Sequence, residues 1–300
     1  MQEINQAFAG LELRDMSKAQ EVSEILDKFN LRWNVNVKPL FLEGNVETDI
    51  KAIVREDTGE AFSACKEGYT PFQNSRLAEL VIGIAGKAGY EVHSGGTFKN
   101  GGKVYLQLKS GQDLNGIGEN RSKVTGYFTA INSHDGTHSL KWGNVTTTIC
   151  CGNTYALARK LLQQSARHTA GIFNLVDQYM SELEGLHNEM ANMYQRFREM
   201  ATRPIGQKEI TAVVKEITWY DARNQSEQSQ YTMNRAGDLL ASINSEIKEK
   251  GATQWGLFSG VTHYTQYKMP APKRENATLE SKYTGGAFKK DNTALVLINS

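Results

Sequence analysis

The chain has 300 residues, of which 39% are hydrophobic and 22% charged, with only 5 prolines and a formal net charge of +1. That length supports one large or two smaller domains whose cores need neither metal nor disulfide, and the composition excludes a disordered or fibrous protein. The near-zero charge excludes a uniformly basic chain, so any nucleic-acid surface has to be a local patch.

The predicted elements begin with SKAQEVSEILDKFN, residues 17 to 30, where Val22, Ile25, Leu26 and Phe29 fall at helical spacing behind a capping serine. The period then shortens. WNVNVKPLFLEG, KAIVRED and AFSACKEGY read as strands separated by Gly44, by Asp57-Thr58-Gly59 and by Gly68. Residues 75 to 88 predict a helix. YEVHSGGTFKNGGKVYLQLKS predicts a hairpin turning at Asn100-Gly101-Gly102, and GYFTAINSHDGTHSLKWGN a second pair turning at Asp135-Gly136.

In VTTTICCGNTYALARK, adjacent cysteines on a strand point to opposite faces and cannot chelate one metal as a CxxC pair does. They also lack the spacer of a redox pair. Val145 to Cys151 is therefore read as a strand that turns at Gly152-Asn153-Thr154 into a helix from Tyr155 to His168, with a start able to hold an anion. From Ile172 an apolar seam runs through Val176, Tyr179, Leu183, Leu186, Met190, Met193, Phe197 and Met200, which predicts one long helix stopped by Pro204. Residues 207 to 223 and 229 to 250 are its expected antiparallel partners in the same chain. Trp255, Phe258, Val261 and Tyr264 recur at every third position. The expected architecture is α+β, with a sheet-containing, nucleic-acid-binding domain over residues 1–170 and a mainly helical region over residues 171–300.

Cys65, Cys150 and Cys151 form no framework, and no stretch approaches the roughly 18 apolar residues of a membrane helix, so a reduced, cytoplasmic protein is expected. Two runs lack any acidic residue: Val92 to Gln112 and Gly136 to Val176. They carry Lys99, Lys103, Lys109, Lys141, Arg159, Lys160 and Arg167, with Phe98 and Tyr105 on the first hairpin. Cations that track phosphates, interleaved with rings that stack on bases, are the chemistry of single-strand binding. No phosphate loop, dinucleotide fingerprint, nucleophile–base pair or metal-ligand spacing is present, so no catalytic residue, metal or cofactor is assigned. Consecutive Ser133, His134 and Asp135 sit at a turn and do not make a triad. A metal-dependent nuclease built on His134, Asp135 and His168 stays as a competing reading.

The blocks VREDTGEAFSACKEGYTPFQN, AINSHDGTHSLKWGNVTTTICCGNTYALA, RHT and GATQWGLFSGVTHYTQYK occur here in the same order as in a phage- and plasmid-encoded family of unknown function labelled phage/plasmid-like protein, which this chain resembles over roughly residues 33 to 297. Gly152 stands where that family commonly has Asn. The resemblance implies a mobile-element setting, and the pattern of sheet followed by helix is similar to single-strand annealing proteins of phage recombination. The expected function is single-stranded DNA binding and annealing by a homo-oligomer, without catalysis. The alternative is a protein-interaction module that inhibits a host or rival-element factor.

Overall fold

The computed structural model describes residues 17–117, 122–148, 154–155, 164–181, 185–221, 228–270, 273, 277–283 and 285–299. It is an α+β protein in which antiparallel sheets with helices precede a helical C-terminal region.

The first helix, α1 (residues 17–28), buries Ile25 and Leu26, as its spacing predicts. Strands β1 (Val35–Leu42), β2 (Val46–Arg55) and β3 (Ala61–Cys65) form an antiparallel meander in that order. Helix α2 (Asn74–Ala88) buries Leu77, Ala78, Val81 and Ile84 along one stripe and ends at Gly89. The left-handed φ of +66° there admits glycine without a Cβ clash.

The second sheet has the order β4-β5-β6-β7-β8, with β9 also pairing with β7. Its strands are β4 (Glu91–Phe98), β5 (Lys103–Ile117), β6 (Ser122–Ser133), β7 (Leu140–Thr148), β8 (Thr154–Tyr155) and β9 (Gln164–Ala166). Both expected turns are present: Asn100 and Gly101 connect β4 to β5 with φ of +54° and +105°, and Gly136 has φ +68° between β6 and β7.

The expected helix from Tyr155 to His168 is not formed at its described ends. Thr154 and Tyr155 pair with Thr147 and Thr146, and Gln164 to Ala166 pair with Trp142 to Leu140. β7 offers ladder hydrogen bonds at both ends, and this non-local pairing overrides the local alanine-leucine propensity. Cys150, Cys151, Asn153, Arg159 and Lys160 lie outside the described residues.

The seam expected on one long helix is carried by α3 (Ile172–Ser181) and α4 (Gly185–Thr202), and the stretch between them, with Leu183, lies outside the described residues. It is followed by α5 (Gln207–Thr218), α6 (Gln230–Lys250), α7 (Gln254–His263), a π-helical turn at Tyr264–Lys268, α8 (Ala277–Tyr283) and α9 (Gly286–Ile298). No helix among the described residues is long and apolar enough to cross a membrane.

Two compact units result. The first draws on Met1–Lys109, Thr129–Trp142 and Gln164–Glu184, and the second on Ser110–Phe128, Gly143–Gln163 and Gly185–Ser300. Strands β5, β6 and β7 each contribute residues to both. In the first unit Leu31, Phe72, Leu77, Val81, Leu106 and Ile172 are buried. In the second, the seam residues Met190, Met193, Phe197 and Met200 are buried in one core with Val213, Ile217, Leu239 and Ile243, but the helix that packs directly on α4 is α7, with the Phe197 and Trp255 rings 5.0 Å apart, while the expected partners α5 and α6 pack chiefly on α9 and α7. Helix α7 is buried on every side from Trp255 to Thr262, so its every-third-residue pattern marks a central core helix and not a surface stripe.

Candidate functional site

The sequence-assigned cations and rings take different positions in the first unit. Lys99 is exposed and pairs with Asp135 at 3.0 Å. Lys109 is half-buried opposite Glu91 in the β4–β5 ladder. The β7–β9 register sets half-buried Lys141 opposite Ser165, and exposed Arg167 follows the end of β9. Lys103 is 2% exposed. Phe98 and Tyr105 are buried and stack on one another, with ring centroids 5.0 Å apart. Their faces are spent on each other, so in this arrangement neither ring, nor the buried Lys103 ammonium, is open to a nucleotide. The reason is packing: every residue from Val104 to Leu108 is buried, so this strand is covered on both faces, whereas an open hairpin would be covered on one.

The Asn-Ser-His-Asp-Gly block builds a buried polar network in the first unit. Asn74, at the start of α2, donates from Nδ2 to the carbonyls of Leu31 (3.2 Å) and Trp33 (3.1 Å). This turns its Oδ1 toward His134 Nε2 at 3.1 Å, a nitrogen that also has Asn132 Nδ2 at 3.4 Å. Asn132 Nδ2 donates to the Phe72 carbonyl at 2.6 Å, and its Oδ1 accepts from His168 Nε2 at 2.8 Å. The Asn132 carboxamide thus favours the proton on His168 Nε2, and both carboxamides meet at His134 Nε2.

Burial holds both imidazoles neutral, lowering His134 to about 3, with His168 adding to the effect, and His168 to about 4. His134 packs edge-on to Trp33 and stacks on Phe62, while His168 stacks on Tyr69. His134 Nδ1 and Tyr69 Oη are buried without a hydrogen-bond partner, and burial, with Cys65 and Asp135 nearby, pushes the Tyr69 phenol upward.

Asp135 serves the turn and not His134. It accepts from Ser133 Oγ at 2.6 Å, from Thr137 Oγ1 at 2.6 Å and from the Thr137 amide at 3.2 Å. Burial opposes its charge, but these bonds and Lys99 outweigh that and hold its carboxyl down at about 2. Among the described residues no group of three His, Cys, Asp or Glu side chains is placed to hold a metal ion. The network reads as a structural latch joining the loop before α1's successor strand, α2, β6 and the segment after β9. Replacing Asn132 with Ala strands the Phe72 carbonyl and the His168 N–H together. The expected loss is about 3 kcal/mol in urea denaturation.

Sequence reasoning missed a surface in the second unit. Trp219 follows α5 with a left-handed φ of +65°, and its amide donates to the Lys215 carbonyl at 2.7 Å. Glycine is the usual residue at such a cap, and a bulky side chain there is strained. The indole is nevertheless 74% exposed. The Arg235 guanidinium lies 5.7 Å and the Lys290 ammonium 5.4 Å from its ring. Both donate to the Ile217 carbonyl at the negative end of α5, which accounts for their position. Tyr231, 61% exposed, lies 5.4 Å from the same Arg235. Burial, then the neighbouring Arg235, lowers the Lys290 pKa, while Glu216 acts in the opposite direction. An open indole with two cations beside it and a second exposed ring nearby can take a base on the ring and phosphate on the cations. Only the TWY run hints at this in the sequence, because α5, α6 and α9 must pack before the four residues meet.

No curated protein and no solved structure matches the chain. A family model does match residues 61–284, the span that holds Asn74, Asn132, His134 and His168, the buried α7 helix, and Trp219 with Tyr231 and Arg235, and by that match the chain belongs to the domain of unknown function family DUF932.

Proposed function

We propose that the protein binds single-stranded DNA and promotes strand annealing as a homo-oligomer, acting in recombination of a phage or plasmid in the bacterial cytoplasm and catalysing no reaction itself. The observation that carries this reading is Trp219, an indole left open to solvent in a strained backbone conformation with Arg235 and Lys290 against it. Stacking on an aromatic side chain contributes about 1–3 kcal/mol per base and tolerates any sequence, which suits a protein that must hold unpaired strands. Lys99, Lys109, Lys141 and Arg167 of the first unit, joined by Arg159 and Lys160 from the second acid-free run, are the proposed phosphate contacts. The similarity of the sequence blocks to phage- and plasmid-encoded proteins supports the recombination setting.

Intrinsic fluorescence tests the stacking directly, because Trp33, Trp142 and Trp255 are buried and Trp219 is the exposed indole. Titration with oligothymidylate is expected to quench the emission saturably, and Trp219→Phe to remove most of that change. Trp219→Ala is expected to weaken binding roughly tenfold. Emission that does not respond to oligothymidylate, or responds equally in Trp219→Phe, contradicts this assignment.

A further inference from the structure

Arg235 and Lys290 meet on one atom, the Ile217 carbonyl oxygen, which accepts from the guanidinium at 3.3 Å and from the ammonium as well. A helix C-terminus supplies roughly half a negative charge, less than either cation needs. Arg235 makes one further bond, from Nε to the Tyr264 phenol oxygen at 3.3 Å. Among the described residues neither cation forms an ion pair. Glu216 acts on Lys290 only through space, and Asp221 is taken by Lys215 at 2.6 Å. Burial, and then the like charge of Arg235, lower the Lys290 pKa accordingly. Donors remain on both groups, because a guanidinium has five N–H bonds and an ammonium three. The Trp219 ring lies 5.7 Å from the first cation and 5.4 Å from the second, so a flat apolar face and uncompensated positive charge adjoin.

We propose that this cluster is a site for a nucleotide bearing a phosphomonoester, its phosphate bridging Arg235 and Lys290 and its base on Trp219, so that in a strand it takes the phosphorylated end and not an internal nucleotide. The inference deepens the single-strand reading above and rests on it. Charge decides between the two positions. An internal phosphodiester carries one negative charge, whereas a terminal phosphomonoester carries about −1.5 to −2 at pH 7 and has three acceptor oxygens. Two cations crowded on one carbonyl are matched by the second and only half-matched by the first. The indole supplies the other half of the selection, since inorganic phosphate has the charge but nothing to stack.

The test is quenching of the intrinsic fluorescence of the full chain, at low salt and neutral pH, by oligothymidylate of one length with hydroxyl ends, with a 5′-phosphate or with a 3′-phosphate, and by thymidine 5′-monophosphate. One phosphorylated strand is expected to half-saturate at about tenfold lower concentration than the hydroxyl-ended strand, which identifies the end recognised. Converting that phosphate to its singly charged propyl diester is expected to remove the gain. Lys290→Gln, which keeps a donor for the Ile217 carbonyl, is expected to remove it as well. Thymidine 5′-monophosphate that half-saturates as readily as the phosphorylated strand assigns the site to the free nucleotide. If no phosphorylated ligand binds tighter than the hydroxyl-ended strand, the proposal is overturned and the single-strand reading stands. A propyl diester that keeps the gain overturns it too, as does inorganic phosphate that displaces the mononucleotide at equal concentration. Quenching by the mononucleotide but by no strand keeps the site and removes the single-strand reading, and silence with every ligand removes both.

Discussion

Gly260→Ala is expected to lose about 3 kcal/mol of stability or more, read as a lower urea midpoint of the second unit. A Cβ at this position would lie 2.4 Å from the Ile243 Cα and 3.0 Å from the Ile243 backbone nitrogen. Those atoms belong to α6 itself, so no side-chain rotation relieves the clash and the two helices must move apart. Gly256, one turn earlier, is as tight: its Cβ would come within 2.2 Å of the Gly251 carbonyl oxygen. The two glycines let α7 lie directly on the end of α6, and this contact buries Trp255, Phe258 and Val261. The matched control is Gly237→Ala within α6, where an added Cβ meets nothing within 4 Å. That substitution is expected to stabilise the protein by roughly 0.5–1 kcal/mol, because alanine removes unfolded-state freedom and favours helix. Equal effects of the two substitutions would contradict the close-packing account.

The second large effect is a pH dependence with opposite signs in the two units. His134 and His168 have ordinary values of 6.5 but fold to about 3 and about 4 because burial disfavours their charged forms. Below pH 6.5 the unfolded chain takes up protons that the folded chain refuses, so stability falls as the pH drops toward 4. The slope approaches about 1.4 kcal/mol per pH unit for each histidine.

Asp291 works the other way. It is buried on α9, accepts from Thr265 Oγ1 at 2.7 Å, and burial raises its carboxyl from 3.8 to about 8. Between those values the folded protein keeps a proton that the unfolded chain releases, so stability falls as the pH rises through that window. Asp291→Asn retains the acceptor and removes the titration. The variant is expected to be more stable than wild type at pH 8, with the advantage shrinking toward pH 4. Urea midpoints for both proteins across pH 4 to 8 provide the check, and parallel curves would contradict a buried, protonated Asp291.

Much of the fold was legible because its signals are local. Leu77, Val81 and Ile84 announce α2, and Asn100-Gly101 and Asp135-Gly136 announce two turns, because positive φ at a turn restricts residue choice at that position alone. The failures share a different cause. Tyr155 to His168 reads as a helix until β7 is seen to offer its ladder to both ends of that segment.

The candidate site divides in the same way. The Asn-Ser-His-Asp-Gly turn was visible, and Asp135 does bond within it. The roles of Asn74 and Asn132 were not visible, since each depends on a carbonyl or imidazole at least 36 residues away. Phe98, Tyr105 and Lys103 were assigned to an open face that the structure fills from both sides. Trp219, Tyr231, Arg235 and Lys290 come from separate stretches of chain, and no spacing rule joins them.

The measurement that bears most directly on nucleic-acid binding is fluorescence anisotropy of a labelled single strand against the matching duplex over a salt series, comparing wild type with R235A/K290A. The account predicts tight binding to the single strand that weakens steeply with salt, weaker binding to the duplex, and a shallower salt slope in the variant as phosphate contacts are lost. Absence of binding to either nucleic acid at low salt would contradict it, as would a variant indistinguishable from wild type.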